Sequence, residues 1–215
     1  MHPEPADDPT APDRRRRVVV AGHLGDGTTA RAGLADPDPA VRAAAVGALD
    51  RCAALGADQL RADELAAALD DVDRGVRRRA ALVAARRDDV APELLSLLDD
   101  PDGTVVEVAA FAWGERADGA AAVPRLAELA TTHDDALCRE AAVAALGSLG
   151  DPAGLDAVLA GCADRATVRR RAVLALAAFE GSQVTAMLEH LREDRDLQVR
   201  QAAEDLLAIE RGLDV

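Results

Sequence analysis

One phrase recurs along this chain at a spacing near thirty residues, and that spacing constrains the fold more than any other feature. The phrase is Asp-Pro-Asp, a short gap, Val-Arg, and an Ala-rich run ending in Leu or Gly. It reads Asp36-Pro37-Asp38-Pro39-Ala40-Val41-Arg42, then Asp71-Val72-Asp73-Arg74-Gly75-Val76-Arg77, then Asp100-Pro101-Asp102-Gly103-Thr104-Val105. Two looser copies follow, Asp134-Asp135-Ala136-Leu137-Cys138-Arg139 and Asp164-Arg165-Ala166-Thr167-Val168-Arg169, before Asp194-Arg195-Asp196-Leu197-Gln198-Val199-Arg200 closes the series. With the Val (or Cys138) as anchor, the positions are 41, 76, 105, 138, 168 and 199, so the steps are 35, 29, 33, 30 and 31 residues. A repeat of this length is one supersecondary unit, which buries its apolar face only by stacking on its neighbours.

Each unit reads as two helices. Helix A carries Leu and Ala at helical spacing, as in Leu65 and Leu69 or Leu94, Leu97 and Leu98. Helix B starts after the Asp-rich turn, where Asp caps free backbone amides and Pro39 suits a first helical position that needs no donor. Gly114, Gly147 and Gly150 are expected to close helices in the left-handed conformation. Within helix B the apolar residues fall at anchor +0, +3, +4, +7 and +8, one face of a 3.6-residue helix. No period-two alternation is present, so no sheet is expected. Gly22-His23-Leu24-Gly25-Asp26 matches Gly147-Ser148-Leu149-Gly150-Asp151. That match puts a seventh anchor at Asp13 and makes Arg14 to Gly22 a lone helix B capping the stack. The predicted fold is therefore an all-α, right-handed α-solenoid of antiparallel helix pairs, one N-terminal half-repeat plus six repeats. It spans residues 13–215, behind a disordered, proline-rich tail over 1–12.

Composition agrees. Hydrophobic residues make up 49% of the chain but aromatics only 1%, namely Phe111, Trp113 and Phe179. Small side chains suit thin layers of closely packed helices. Every basic residue is Arg, and the formal net charge is -14, which disfavours nucleic acid as a partner. Cys52, Cys138 and Cys162 form no CxxC pair and sit in Ala-rich helical stretches, as core residues do. Their usage fits a reducing cytoplasm. The apolar run Val18 to Ala21 is too short for a signal peptide, and no stretch is long enough to span a bilayer.

The phrase Asp-Pro-Asp-x-x-Val-Arg-x-x-Ala-Ala-x-x-Leu-Gly resembles the HEAT-like repeat, in the short bacterial form named after phycobilisome lyases, over roughly residues 13–212. The resemblance implies a helical-pair solenoid whose B helices line the concave side. It also implies that the anchor +1 arginines (Arg14, Arg42, Arg77, Arg139, Arg169 and Arg200) pair with turn carboxylates in a ladder. Asp38, Asp73, Asp102, Asp135 and Asp196 are the expected partners, with an interruption at Val106, which stands where the third repeat should carry Arg.

Positions +2, +6 and +9 point away from the core face. Position +6 reads Val19, Gly47, Leu82, Phe111, Ala144, Leu174 and Asp205. A row of apolar side chains facing solvent is what a protein-binding groove needs. Position +2 supplies a mixed-charge rail with Arg78, Glu107, Glu140 and Arg170. The candidate partner-binding groove is therefore Val19, Leu82, Phe111, Leu174, Arg78, Glu107, Glu140 and Arg170. Trp113, at +8, is expected to pack between repeats.

Catalysis finds little support. The resemblance to HEAT-like deoxyhypusine hydroxylase would require His-Glu dipeptides, and only the reversed Glu189-His190 occurs. No nucleophile motif, phosphate loop or metal-ligand spacing is present, and His23 reads as a polar residue at a helix end. The expected function is a cytoplasmic, non-catalytic scaffold or adaptor. Its partner is another protein, a peptide or helix along the concave face, and it uses no cofactor, metal, membrane or small molecule. Two alternatives stay open. One is an accessory subunit of a lyase-like enzyme. The other is a nucleic-acid binder through Arg14 to Arg17, Arg77 to Arg79 and Arg169 to Arg171.

Overall fold

The computed structural model describes residues 9–210 and 212. Among them it contains thirteen α-helices and no strand. They are α1 (Ala11–Leu24), α2 (Gly27–Ala32), α3 (Pro39–Ala54), α4 (Ala62–Leu69), α5 (Arg74–Ala84), α6 (Ala91–Ser96), α7 (Gly103–Gly114), α8 (Val123–Thr132), α9 (Ala136–Leu149), α10 (Leu155–Gly161), α11 (Ala166–Ala175), α12 (Ser182–Leu191) and α13 (Leu197–Glu210). The lone cap helix is α1, and six A–B pairs follow in chain order. The chain falls into two compact units, one ending at Leu94 and the other beginning at Leu95. In the first, α1, α3 and α5 are the B helices and pack side by side; in the second, α7, α9, α11 and α13 do so. Residues 1–8 of the expected tail lie outside the described residues. Ala11 and Pro12, also assigned to that tail, instead form the first turn of α1, because Thr10 caps it and Pro12 occupies an early position that needs no donor.

The two Asp of each phrase divide the labour. The second caps its own helix B: Asp38 Oδ1 accepts from Ala40 N at 2.8 Å, Asp73 from Gly75 N at 2.8 Å, and Asp135 from Leu137 N at 2.9 Å. The first accepts the amide of the second, as Asp36 does from Asp38 and Asp71 from Asp73. It is this first Asp that meets the arginine ladder. Arg42 donates from Nε and Nη2 to both oxygens of Asp71, 2.8 Å each, while its Nη1 donates to the carbonyl of Asp36 at 3.0 Å. Arg14 grips Asp36, Arg139 grips Asp164 and Arg169 grips Asp194 in the same two-pronged way. Each guanidinium thus ties the turn of its own repeat to the turn of the next. The expected partners Asp38, Asp73, Asp102 and Asp135 are corrected by this division, because a carboxylate engaged by helix-start amides faces its own helix. Asp196 caps α13 and also takes Arg170, at position +2, at 2.5 Å.

The interruption at Val106 is observed, and it is compensated. Val106 is fully buried. The next turn carries His133 where other turns carry the first Asp, and its Nδ1 accepts from Asp135 N at 3.0 Å. The imidazole therefore keeps the turn while the charge is lost from both sides of the missing pair.

The buried face of helix B differs from the expected one. Position +5 is buried throughout α3, α5, α7, α9 and α11, as Val46, Ala81, Ala110, Val143 and Val173, whereas +3 is open, as at Arg79 and Arg171. Within each unit a B helix packs against helix A and, laterally, against the B helices of that unit. Its buried stripe is therefore wider than that of a surface helix, and it is rotated so that +6 lies at the centre of the open side.

Two outcomes test the ladder. The Arg14 guanidinium holds the Asp36 carboxyl down to about 2, and Arg139 holds Asp164 below the usual carboxylate range. A carboxyl depressed in the folded chain stabilises it fully above its unfolded value of about 3.9, and that contribution is lost as pH falls through the folded value. Urea-unfolding midpoints are expected to fall between about pH 4 and pH 2, and less steeply in Arg14→Met. Separately, Val106→Arg alone buries an unpaired cation, and His133→Asp supplies its carboxylate. A double-mutant cycle is expected to return a favourable coupling of about 1–3 kcal/mol, and simple additivity would refute the compensation.

Candidate functional site

The open side of the B helices is built from positions +2, +3, +6, +9 and +10. Position +9 behaves differently from the expectation. Gly22, Gly114 and Gly147 all occupy it, and each faces the +7 alanine of the following B helix. A Cβ on Gly22 would lie 2.7 Å from Ala48 Cα, one on Gly114 3.0 Å from Ala145 Cα, and one on Gly147 2.8 Å from Ala175 Cα. These glycines set how closely neighbouring B helices approach. Gly114 and Gly147, expected to be left-handed helix closers, have ordinary φ; Gly25 and Gly150 take that role, with φ of 73° and 62°. Where glycine holds it, position +9 is thus a packing seam and offers no side chain to a partner.

The +6 row is open. In the second unit Phe111 and Leu174 are each 54% exposed, and the half-buried Ala144 lies on the helix between theirs. In the first unit Leu82 is 39% exposed, Val19 is half-buried, and Gly47 interrupts the row. Beside Leu174 the surface sinks into a depression of about 380 Å³, lined by Ala144, Gly147, Ala175, Ala178 and the stem of Arg171. The rail at +2 is partly neutralised. Arg170 is taken by Asp196, and Glu140 faces Arg171 at 3.7 Å. Arg78, in the first unit, is exposed, and Glu107 is half-buried on α7.

Trp113 is buried under the same helix, with the Arg116 guanidinium 4.9 Å from its ring centroid and Asp118 holding Arg116 at 2.6 Å. The three cysteines are buried and unpaired. Burial pushes the Cys162 thiol up to about 12; burial, followed by the charges of Asp135 and Glu107, pushes Cys138 up to about 11. Glu107, Asp135 and Cys138 bring ligand atoms within 4.8 Å of one another. Two of the three are engaged in the fold, since Cys138 Sγ donates to the Gly103 carbonyl at 3.3 Å and Asp135 caps α9. Among the described residues no helix is long and apolar enough to cross a membrane.

Residues 91–177 match the family model for HEAT repeats. That stretch of the chain carries HEAT repeats. Solved structures of helical repeat proteins share the fold of this chain. YibA of Escherichia coli aligns with a TM-score of 0.71 at 20% identity, over 94% of this chain and 77% of that one. A designed armadillo repeat protein in complex with the peptide (KR)4 aligns at 0.62 and 17% identity, over 86% and 98%. Likenesses at this identity establish the fold alone. No curated protein sequence matches the chain significantly.

The sequence reading located the exposed +6 residues but missed the +9 seam, whose signal was available: a glycine recurring at one register of a helix. It also passed over Gly47. A Cβ there would meet nothing closer than the Arg79 side chain at 3.5 Å, an ordinary contact. Gly47→Ala is therefore expected to stabilise the protein by roughly 0.5–1 kcal/mol through helix propensity. Gly147→Ala, overpacked against the Ala175 backbone, is expected to lose about 1–3 kcal/mol. Urea denaturation of the two variants tests the seam, and equal effects would dismiss it.

Proposed function

We propose that this HEAT-like protein is a non-catalytic scaffold that binds another protein along the open face of its B helices. The observation that carries the reading is the pair Phe111 and Leu174. Both lie at the centre of the open side, and each is 54% exposed although large and apolar, more than Leu82 at the same position of α5. Exposed aromatic and aliphatic side chains beside a shallow depression are the anchors of protein interfaces. The face stands on rigid helices, so little receptor ordering opposes binding. A designed armadillo repeat protein of similar fold is in complex with a peptide, which supports a peptide partner for this one.

The partner presents apolar side chains toward Phe111 and Leu174, with polar groups reaching the +2 rail, either as an extended peptide or as a helix. The buried, proton-retaining cysteines and the structurally engaged Asp135 support a binding role over catalysis.

Phe111→Asp with Leu174→Asp tests the reading. Both residues are half in solvent, so unfolding stability is expected to change by less than about 0.5 kcal/mol per site, with helical circular dichroism retained. Affinity capture from the native cell is expected to lose the partner retained by the wild type. Undiminished capture, or loss of the fold, would remove these residues from the interface.

A further inference from the structure

The open face of the first unit carries a charge opposite to that of the whole protein. Up to residue 94 the chain has 14 arginines against 17 carboxylates, and beyond it 11 against 22. On the open side of α1, α3 and α5 the balance reverses. Arg15 and Arg16 project from α1, Arg51 from α3, and Arg78 and Arg79 from α5, at positions +2, +3 and +10. None of these five has an ion-pair or hydrogen-bond partner among the described residues. The one carboxylate on this side within the α3 and α5 registers, Asp50, is already taken by Arg86 at 3.2 Å.

Two of these guanidiniums converge. Arg79 Nε lies 3.6 Å and Arg51 Nη1 3.7 Å from the point where a Cβ on Gly47 would stand. Arg51 Nε is shielded from water with no partner. Like charges gathered around one point repel, and a buried donor left unmade is costly. The last turn of α3 favours a cation at Arg51, but nothing on α5 does the same for Arg79. Gly47 adds a third sign. It costs helix stability relative to alanine, and packing does not require it, in contrast to Gly22 and Gly147. What its missing side chain does provide is room for the Arg79 stem and the Arg51 guanidinium to lie over the same buried turn of α3.

We infer that this face binds an acidic peptide segment, one of whose carboxylates is held by Arg51 and Arg79 over Gly47. The inference deepens the protein-binding reading by naming the partner's chemistry. A guanidinium fork matches a carboxylate in two parallel hydrogen bonds, and two forks with no competing carboxylate form a ready receptor. Neighbouring B helices stand about 8–10 Å apart, and an extended peptide rises about 3.3 Å per residue. An acidic side chain at every third position or so meets the arginines of successive helices. A nucleic-acid strand is a poorer occupant. The first unit has no aromatic residue on which a base could stack, and the acidic remainder of the protein repels a long polyanion.

Fluorescence anisotropy of the full chain with a labelled octaglutamate peptide at low salt tests this. Binding is expected, weakening as salt rises. Arg51→Gln and Arg79→Gln together are expected to lower affinity by about tenfold per arginine while circular dichroism is unchanged, since neither side chain supports the fold through a bond. Arg79→Lys, which keeps charge and loses the fork, is expected to fall between. Phe111→Asp is expected to leave octaglutamate binding intact. A single-stranded thymidine octanucleotide is expected to bind at least tenfold more weakly. No octaglutamate binding, equal binding by the arginine variants, or tighter binding of the oligonucleotide overturns the inference. Capture of the native partner that survives Arg51→Gln/Arg79→Gln and is lost in Phe111→Asp/Leu174→Asp overturns it too, while leaving the apolar-face reading in place.

Discussion

The structure depends on one device, an arginine that holds two turns at once. From anchor +1 its Nη1 reaches the carbonyls of its own Asp turn, and its Nε and Nη2 close on the first Asp of the next. Arg139 and Arg169 make the same connections in the second unit. The pairs are largely shielded from water, so the two-pronged geometry counts for more than a surface ion pair would. Because the grip spans consecutive repeats, it fixes their register as well as joining them. A helix pair cannot slip along its neighbour without leaving both a guanidinium and a carboxylate unmatched. The exception follows the same logic. Where Val106 replaces the arginine, His133 replaces the carboxylate, so neither charge is stranded.

Most of the architecture could be read in the residues, because the fold is periodic and so is its signal. The anchors open successive B helices, the turn aspartates cap them, and α1 stands alone where Gly22 to Asp26 matched Gly147 to Asp151. What could not be read was directional. A phrase with two Asp does not show which one faces its own helix and which faces the next repeat; that depends on where the turn amides point. Likewise, apolar spacing defined a stripe but not its width, so +5 was missed while +3, filled by Arg79 and Arg171, was counted inside.

The glycines show the same limit at the site. In sequence, Gly22, Gly47, Gly114 and Gly147 look alike, each a break in an Ala-rich helix. In space, three sit against the Cα of a neighbouring alanine and one sits beneath two guanidiniums. Exposure at Phe111 and Leu174 was legible because helical phase alone determines it. The gathering of Arg51 and Arg79 was not, since it joins residues from two helices through side chains long enough to cross a repeat.

The B helices also keep their duties apart. Positions +0, +4, +5, +7 and +8 make the core, +1 makes the ladder, and +9 makes the seam. Apart from Arg170, which meets Asp196, and the Glu140–Arg171 contact, the residues at +2, +3 and +6 take little part in holding the chain together. Substitutions there are nearly neutral for folding, so the surface can drift or be selected one repeat at a time. A protein arranged in this way can acquire a new specificity without passing through an unstable intermediate, and its close relatives need share a scaffold only, with no common ligand.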